Sequence, residues 1–241
     1  MGRSFEVRKA SMMKTGLQKG KLYARFGKEI YMCAKNGGPN PESNLALKHL
    51  IERAKKQQVP MDIIKRNIDK AAGGGGEEYT TIRYEGFGPS GSSFIVDTLT
   101  DNINRTVSEV RNCFTKIGSK LGVNGSVEHM YQHLAYITVK GVDIETVLEC
   151  LLEEDIDVSD IEDVDEAVEI SADGYALDKI ENALSNLEHA DVVDSESGWF
   201  AHETITLSDE DYEKFEKFMH LINQCEDVQN VYHNVEVKEE N

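Results

Sequence analysis

The sequence has no long apolar stretch and no dense set of cysteines. No run approaches the 18 apolar residues of a membrane-spanning helix, and the N-terminus lacks the apolar core of a secretory signal. We therefore expect neither membrane insertion nor export. The cysteines are too far apart for a disulfide-rich scaffold or a zinc ribbon, which predicts reduced thiols in a cytoplasmic protein. They are Cys33, Cys113, Cys150 and Cys225.

Recognisable catalytic motifs are also missing. No serine, cysteine or histidine lies in a nucleophile motif, and His129 and His133 are expected at a strand end without a third metal ligand. A carboxylate set of Glu85, Asp97 and Asp101 is a weak metal candidate, because Asp101 is explained more simply by a turn before a helix. The sequence therefore predicts no catalytic residue, no metal site and no cofactor.

Charge is distributed very unevenly along the 241 residues. The formal net charge is −18, yet residues 1–72 contain 16 Lys and Arg against 6 Asp and Glu, a net charge of +10. Residues 73–241 contain 10 basic and 38 acidic residues, and 20 of the acidic ones lie in residues 134–196 beside only 2 basic ones. A basic segment joined to an acidic one indicates a part that binds a polyanion and a part that polyanions repel.

Hydrophobic periodicity predicts three helices followed by an α/β region. The helices are expected over residues 20–36 and 41–58 and from Pro60, which is placed at the first helical position. The glycine run at 73–76 follows as a flexible linker. In the α/β region, strands are predicted at "SSFIVDTLT", "GSVEHMY", "FAHETITL" and "VQNVYHNVEV", with Asn104 and Ser208 capping the helices between them.

Residues 134–196 show the β-α-β-β-α-β pattern by themselves. The predicted fold class is therefore α+β, an N-terminal three-helix domain followed by two ferredoxin-like α/β modules, the second inserted in the first. The predicted domains are residues 1–72 (basic helical domain), 73–78 (linker), 79–133 with 197–241 (discontinuous α/β domain) and 134–196 (inserted acidic domain).

The stretch "RYEGFGPSGSSFIV" contains glycines at the spacing of a dinucleotide-binding loop. Such a loop requires a helix after the glycines, and here a strand follows, so the cofactor interpretation fails. Two interpretations remain open: a plain turn with positive φ at glycine, or a contact loop with an aromatic and charged rim. The candidate contact residues are Tyr84, Glu85, Gly86, Phe87, Gly88, Pro89 and Gly91.

The cations of residues 1–72 are the best candidates for phosphate contacts. On a helical wheel of residues 20–36, the basic side chains lie opposite the apolar face. One such face is usually a solvated surface, but three helices and an N-terminal arm share the bias here. The candidate nucleic-acid-binding residues are Arg3, Arg8, Lys9, Lys14, Lys19, Lys21, Arg25 and Lys28.

Several blocks of the sequence resemble the YebC/PmpR family. They are "MGRSFEVRKA", "KLYARFGKEIYMCAKNGGPNPESN", "RYEGFGPSGS", "DNINRTVSEVRNCFTKIG", "LGVNGSVEHMY" and "EDVQNVYHNVEV". The resemblance implies a three-domain, non-enzymatic bacterial protein of the cytoplasm. Members are described as probable transcriptional regulators that bind DNA, and relatives include translation factors that act at the ribosome. Where members commonly carry Lys-Trp-Ala-Asn, this chain has Ser4-Phe5-Glu6-Val7, with one cation fewer.

Two functions are compatible with these features. In the first, the chain regulates gene expression, with its basic domain on DNA or on ribosomal RNA and its acidic modules facing protein partners. In the alternative, the α/β modules bind a small ligand or a protein, and the basic domain makes no direct nucleic-acid contact.

Overall fold

The computed structural model describes residues 19–74, 76 and 78–238, and it begins with three α-helices. These are α1 (Lys19–Gly37), α2 (Leu45–Lys56) and α3 (Met61–Ala72), together called the helical domain. The side-chain oxygen of Asn44 accepts a hydrogen bond from the Leu47 amide at 3.1 Å and so caps the N-terminus of α2. Pro60 is the N-cap of α3, one position earlier than predicted.

The remaining elements form two four-stranded sheets with helices between the strands. In chain order they are β1 (Thr80–Phe87), β2 (Ser93–Thr100), α4 (Ile103–Lys116), β3 (Lys120–Leu121), β4 (Tyr131–Lys140), α5 (Ile144–Glu153), β5 (Val158–Val164), β6 (Ala167–Asp173), α6 (Leu177–Ser185), β7 (Asp191–Ala201), α7 (Asp209–Ile222) and β8 (Val228–His233). None of the helices in the described residues has both the length and the apolar character of a membrane span.

The helical domain depends on a close approach of α1 and α3. A Cβ atom at Gly27 would lie 2.9 Å from the side-chain nitrogen of Asn67, so a larger residue would require the Asn67 side chain, which bonds the Ile63 carbonyl oxygen, to move. The shared core contains the fully buried Ile30, Leu47 and Ile64. Helices of 12 residues such as α2 and α3 are marginal alone, so this packing stabilises them.

The first sheet belongs to a central domain made of β1, β2, α4, β3, α7 and β8. Its strand order is β3-β1-β2-β8, and its hairpin β1–β2 is antiparallel. The strands occupy the positions of a ferredoxin-like sheet, but the chain visits them in a permuted order. In the usual connectivity the strand in the position of β1 would come after β3 in the chain, whereas here it comes first. On β2, Phe94 packs against Phe218, Phe114 and Phe215, with ring centroids 4.5, 6.0 and 6.1 Å away, and so joins α4 and α7 to the sheet.

The second sheet belongs to an inserted module, residues 131–200. Its strand order is β5-β6-β4-β7 with a helix after β4 and another after β6, the ferredoxin-like arrangement in direct chain order. Its core contains the buried Ile137, Leu151, Ile170 and Ile180. The α+β class with two ferredoxin-like modules, the second inserted in the first, is thereby confirmed.

The chain divides into two compact units. One is the inserted module, and the other contains both the helical domain and the central domain. The finer division into separate domains at residues 72, 78, 133 and 196 stays a prediction.

Three local predictions were wrong. A strand was predicted over residues 125–131, but 125–130 form a turn with a 3-10 helix at Glu128–Met130, and only Tyr131 is in a strand, as the first residue of β4. The strand of the central domain in this part of the chain is β3. Residues 200–207 contain only the end of β7 and a bridge between Ile205 and Val235. The cap of α4 is Asn102, whose side-chain oxygen accepts from the Arg105 amide, and not Asn104. Ser208 does cap α7.

Glu85 explains why residues 125–130 do not form a strand. Its carboxylate is only 2% exposed and accepts hydrogen bonds from the amides of Gly125 (2.7 Å), Val127 (2.7 Å) and Glu128 (2.9 Å). Three amides directed at one carboxylate cannot also form a strand ladder. A buried side chain therefore determines the backbone of a segment about 40 residues away.

We expect Glu85→Ala to lower the free energy of unfolding by about 3 kcal/mol, because three N–H groups, including the buried one of Val127, lose a charged acceptor. Chemical denaturation followed by circular dichroism measures the change. The matched control is Glu52→Ala, on the exposed side of α2, which should change stability by less than about 0.5 kcal/mol. Equal stabilities of the two variants would contradict this role of Glu85.

The buried His233 should make stability depend on pH. Burial in the core of the central domain, where its ring lies 4.8 Å from that of Phe215, lowers the pKa of His233 to about 4. The unfolded chain, with a histidine pKa of 6.5, then binds more protons than the folded chain as the pH falls from 6.5 to 4.

Over that interval we expect His233 to lower the free energy of unfolding by about 3 kcal/mol. Denaturation at a series of pH values checks this, with His233→Gln expected to reduce the dependence and the exposed His129→Gln to leave it unchanged. A wild-type profile that His233→Gln does not alter would show that the residue does not titrate in this way.

Candidate nucleic-acid interface

The predicted phosphate-binding residues fall into two groups. Arg3, Arg8, Lys9 and Lys14 lie outside the described residues. Lys19 is the first residue of α1, and the side chains of Lys21, Arg25 and Lys28 are described along that helix.

Two of these lysines contact the central domain. Lys28 Nζ donates to Asp227 Oδ1 at 2.8 Å and to the Glu226 carbonyl oxygen at 3.1 Å. Lys21 Nζ donates to the Asn223 carbonyl oxygen at 3.0 Å. Both acceptor sites belong to the 223–227 turn, which connects α7 to β8. These two ammonium groups therefore attach α1 to the central domain.

Asp227 is the centre of that attachment. Its side chain is 2% exposed, and its second oxygen accepts from Arg105 Nη2 (2.6 Å), Thr106 Oγ1 (2.8 Å) and Thr100 Oγ1 (3.1 Å). We call these residues, with Lys28, the Asp227 cluster. Burial alone would raise the pKa of Asp227, but the hydrogen bonds from Lys28, Arg105 and Thr106 outweigh it and lower the pKa to about 2.

Arg25 has a local partner. Its Nε donates to Glu29 Oε1 at 3.1 Å, one turn further along α1. Both side chains of this i,i+4 pair are half-buried, and such pairs on a helix contribute only a few tenths of a kcal/mol to stability, about 0.2 to 0.5.

A second set of cations surrounds a groove between α1 and α3. The groove has a volume of about 300 Å³, and Tyr23, Lys28, Tyr31, Arg66 and Tyr79 are among its lining residues. We call it the α1–α3 groove. The ring of Tyr31 lies almost fully buried, and the edge of the Tyr79 ring meets it at a centroid distance of 5.8 Å.

Ammonium groups lie over the aromatic rings of the groove. Lys35 Nζ is 5.7 Å and Lys70 Nζ is 5.6 Å from the centroid of Tyr31, and Lys28 Nζ is 5.6 Å from that of Tyr79. Lys35, Arg66 and Lys70 are exposed, whereas Tyr23 and Tyr79 are half-buried. The surface therefore offers cations for phosphates beside partly accessible aromatic rings, a combination that suits nucleic acid.

The sequence did not single out Lys35, Arg66 and Lys70 as site residues. A signal existed in the spacing, because Tyr31 and Lys35, and likewise Arg66 and Lys70, stand four residues apart on one helix face. The packing of α1 against α3 at Gly27 brings these two faces to one candidate surface.

The glycine-rich stretch at 83–96 is mostly part of the packed sheet. Tyr84 and Glu85 are buried on β1, and a Cβ at Gly86 or Gly88 would meet the rings of Phe114 or Phe94 within 2.6 Å. Positive φ occurs at Ser90 (52°) and Gly91 (79°) in the turn itself. Close packing and turn geometry thus account for its glycines.

A contact role for this stretch stays a prediction. Its exposed part is limited to Phe87, which is 42% exposed, with Ser90 and Gly91. Pro89 and Gly88 are half-buried beside them.

The carboxylates considered for a metal ion each have another partner. Glu85 accepts hydrogen bonds from the backbone amides described above. Asp97 forms an ion pair with Arg83 at 2.7 Å, and Asp101 forms one with Arg105 at 2.9 Å. His129 lies in the 3-10 helix that follows the 125–127 turn, and the ring of His133 on β4 stacks on Trp199 at 5.1 Å. These residues do not converge on one point.

Two family models match the chain in succession. The model of the TACO1/YebC protein N-terminal domain covers residues 3–74, and that of the TACO1/YebC second and third domain covers residues 79–235. The chain belongs to the TACO1/YebC family. The resemblance noted from the sequence blocks is thereby confirmed, and the two matches meet near the glycine linker.

Relatives of this TACO1/YebC chain align over nearly their whole length. A protein of Vibrio campbellii named "probable transcriptional regulatory protein" is 55% identical over 238 residues, 98% of this chain and 100% of the relative. One of the same name from Alteromonas mediterranea is 49% identical, over 97% and 98%. The crystal structure of a conserved hypothetical protein from Aquifex aeolicus superposes with a TM-score of 0.72 at 35% identity, covering 94% of each chain.

Asp227→Asn should detach α1 of this TACO1/YebC protein from its central domain, because Lys28 and Arg105 lose their shared anion. We expect the free energy of unfolding to fall by about 3 kcal/mol. Denaturation measures this, with hydrogen exchange of the α1 amides as a local readout. Asp101→Asn is the matched control: its side chain is 51% exposed and pairs with the same arginine, so the loss should stay below about 1 kcal/mol. Similar losses in both variants would contradict the central role of Asp227.

Proposed function

We propose that this chain is a non-enzymatic regulator of gene expression that binds nucleic acid through its N-terminal helices. The names of the relatives support the regulatory part, since both bacterial proteins are called probable transcriptional regulatory proteins. The nucleic-acid part rests on one structural observation, the exposed cations Lys35, Arg66 and Lys70 around the α1–α3 groove.

The cations around the α1–α3 groove are proposed to bind the phosphates of nucleic acid. Each Lys or Arg that engages a phosphate releases condensed counterions, which gives affinity without requiring a particular base sequence. The half-buried rings of Tyr23 and Tyr79 beside the cations can stack on unpaired bases. Arg3, Arg8, Lys9, Lys14, Lys19 and Arg25 remain proposed phosphate contacts.

The acidic inserted module is proposed to face proteins rather than nucleic acid. With 20 acidic and 2 basic residues in 134–196, it is repelled by phosphate and so restricts how the chain approaches a polyanion. Both duplex DNA and ribosomal RNA present such a phosphate surface, and the proposal covers both as direct targets.

The placement of Lys21 and Lys28 favours a second candidate. Because these lysines bind the central domain, part of the predicted basic face serves the fold. In the alternative, the whole basic surface is structural or solvated, and the α/β modules bind a ligand or protein partner.

A triple variant separates the two candidates. Lys35→Gln, Arg66→Gln and Lys70→Gln together should weaken binding of the full-length chain to duplex DNA or ribosomal RNA about tenfold or more at 0.15 M salt. The slope of log affinity against log salt should fall by about 2 to 3, since up to three phosphate contacts are lost. Fluorescence anisotropy at several salt concentrations measures both quantities.

The control is a triple variant on exposed cations of the central domain: Arg111→Gln, Lys116→Gln and Lys120→Gln. It removes the same charge, so a general electrostatic effect would reduce affinity equally in both. If the groove variant binds both nucleic acids as tightly as the wild type does, the proposal is wrong and the alternative stands.

A further inference from the structure

Two thiols are in contact in the core of the central domain. Cys113 on α4 and Cys225 in the 223–227 turn are both reduced, and their Sγ atoms are 3.7 Å apart. A disulfide needs about 2.05 Å, so the sulfurs have to approach by about 1.7 Å. The fold thus already holds the two sulfurs close to bonding distance.

The surroundings make Cys113 the more reactive of the two. The hydrogen bond from the Cys225 thiol lowers the pKa of Cys113; burial and Glu109 oppose this, and Lys116 assists it. The pKa of Cys225 is raised, first by the same contact and then by burial. The thiolate is the form that reacts with oxidants, so oxidation begins at Cys113.

The turn that carries Cys225 also holds α1. It provides the carbonyl oxygens of Asn223 and Glu226 to Lys21 and Lys28, and the carboxylate of Asp227. Cys225 lies between these acceptors in the sequence. A displacement of its sulfur toward α4 therefore moves the groups that attach the helical domain.

We infer that Cys113 and Cys225 form a reversible redox site, in which a hydroperoxide converts the two thiols to a disulfide and thereby loosens α1 from the 223–227 turn. Disulfides in reducing compartments are mostly of this transient, sensing kind. The contact between the two thiols stands whether or not the helical domain binds nucleic acid.

The reaction balances with hydrogen peroxide as the oxidant. The Cys113 thiolate attacks one peroxide oxygen and breaks the O–O bond, which gives a sulfenic acid and, after protonation, one water. The Cys225 sulfur then attacks the Cys113 sulfur, loses its proton and displaces the hydroxyl group as a second water. Two thiols are oxidised to one disulfide and one peroxide is reduced, and an added dithiol reverses the change by exchange.

The other two cysteines provide internal controls. Cys150 Sγ donates to the Ala183 carbonyl oxygen at 3.4 Å, and burial raises the pKa of its thiol. The Cys33 thiol lies 3.9 Å from the side-chain oxygen of Asn44. Each of these thiols therefore faces an oxygen rather than a second sulfur.

The test treats the full-length chain with a small excess of hydrogen peroxide and maps the products by mass spectrometry. We expect a Cys113–Cys225 cross-linked peptide, loss of two of the four thiols to maleimide, and full recovery after dithiothreitol. Hydrogen exchange of α1 amides should become about threefold faster or more in the oxidised chain. The control variant Cys33→Ala with Cys150→Ala should behave identically, whereas Cys113→Ala and Cys225→Ala should each abolish the cross-link and the change in exchange.

The mass-spectrometric result tests whether the disulfide forms, and the exchange result tests whether it loosens α1. If peroxide yields no Cys113–Cys225 cross-link, or gives sulfinic acid at Cys113 instead, the redox site is refuted. If the cross-link forms and α1 exchange is unchanged or slower, the site exists but does not loosen α1. These readouts come from the wild-type chain, so a variant that folds poorly does not affect them.

Discussion

A buried carboxylate is the constraint on which the larger unit depends. Asp227 is almost inaccessible to solvent, yet hydrogen bonds from Lys28, Arg105 and Thr106 lower its pKa to about 2. The Thr100 hydroxyl also donates to it. These partners come from α1, α4 and the end of β2. Removal of any cation would leave a buried charge incompletely compensated, which is far more costly than the loss of an exposed ion pair. The attachment of the helical domain is therefore specific as well as stable.

This constraint divides the cations of the helical domain between two tasks. Lys21 and Lys28 point to the 223–227 turn and stabilise the attachment. Arg66 lines the α1–α3 groove, and the exposed Lys35 and Lys70 lie over the Tyr31 ring that also lines it. Lys28 belongs to both regions, since it also lies over the Tyr79 ring. An alteration at Asp227 or at the neighbouring thiols would therefore change the surroundings of the groove. This is the physical link between the attachment of α1 and the proposed binding surface.

Much of the fold followed from local patterns, and the exceptions share one cause. Amphipathic periodicity located α1 to α3, and the β-α-β-β-α-β pattern located the inserted module. The segment 125–131 was predicted as a strand from its local hydrophobic pattern. That pattern does not show that Glu85, on a distant strand, binds the amides of this segment and so determines its conformation. Likewise, β1 pairs with β3, which lies more than 30 residues further along the chain, and local periodicity does not predict such a pairing.

The candidate site likewise depends on long-range contacts that local patterns do not predict. A helical wheel identified the cationic face of α1 correctly, but the partner of each cation depends on which element packs against that face. Lys28 meets a buried aspartate 199 residues away, and Lys35 meets the ring of Tyr31 on its own helix. The spacing of Tyr31 and Lys35 contains a signal for the second contact, which was not used, whereas no local pattern indicates the first.

The most direct test of the account is to cross-link the full-length wild-type chain to nucleic acid by ultraviolet light and to identify the modified peptides. We expect adducts with ribosomal RNA or with DNA in peptides of α1, α3 and the segment that contains Tyr79, around the groove. Cross-links confined to residues 131–200, or no adduct above that of an unrelated acidic protein, would contradict the claim that the basic helices bind nucleic acid.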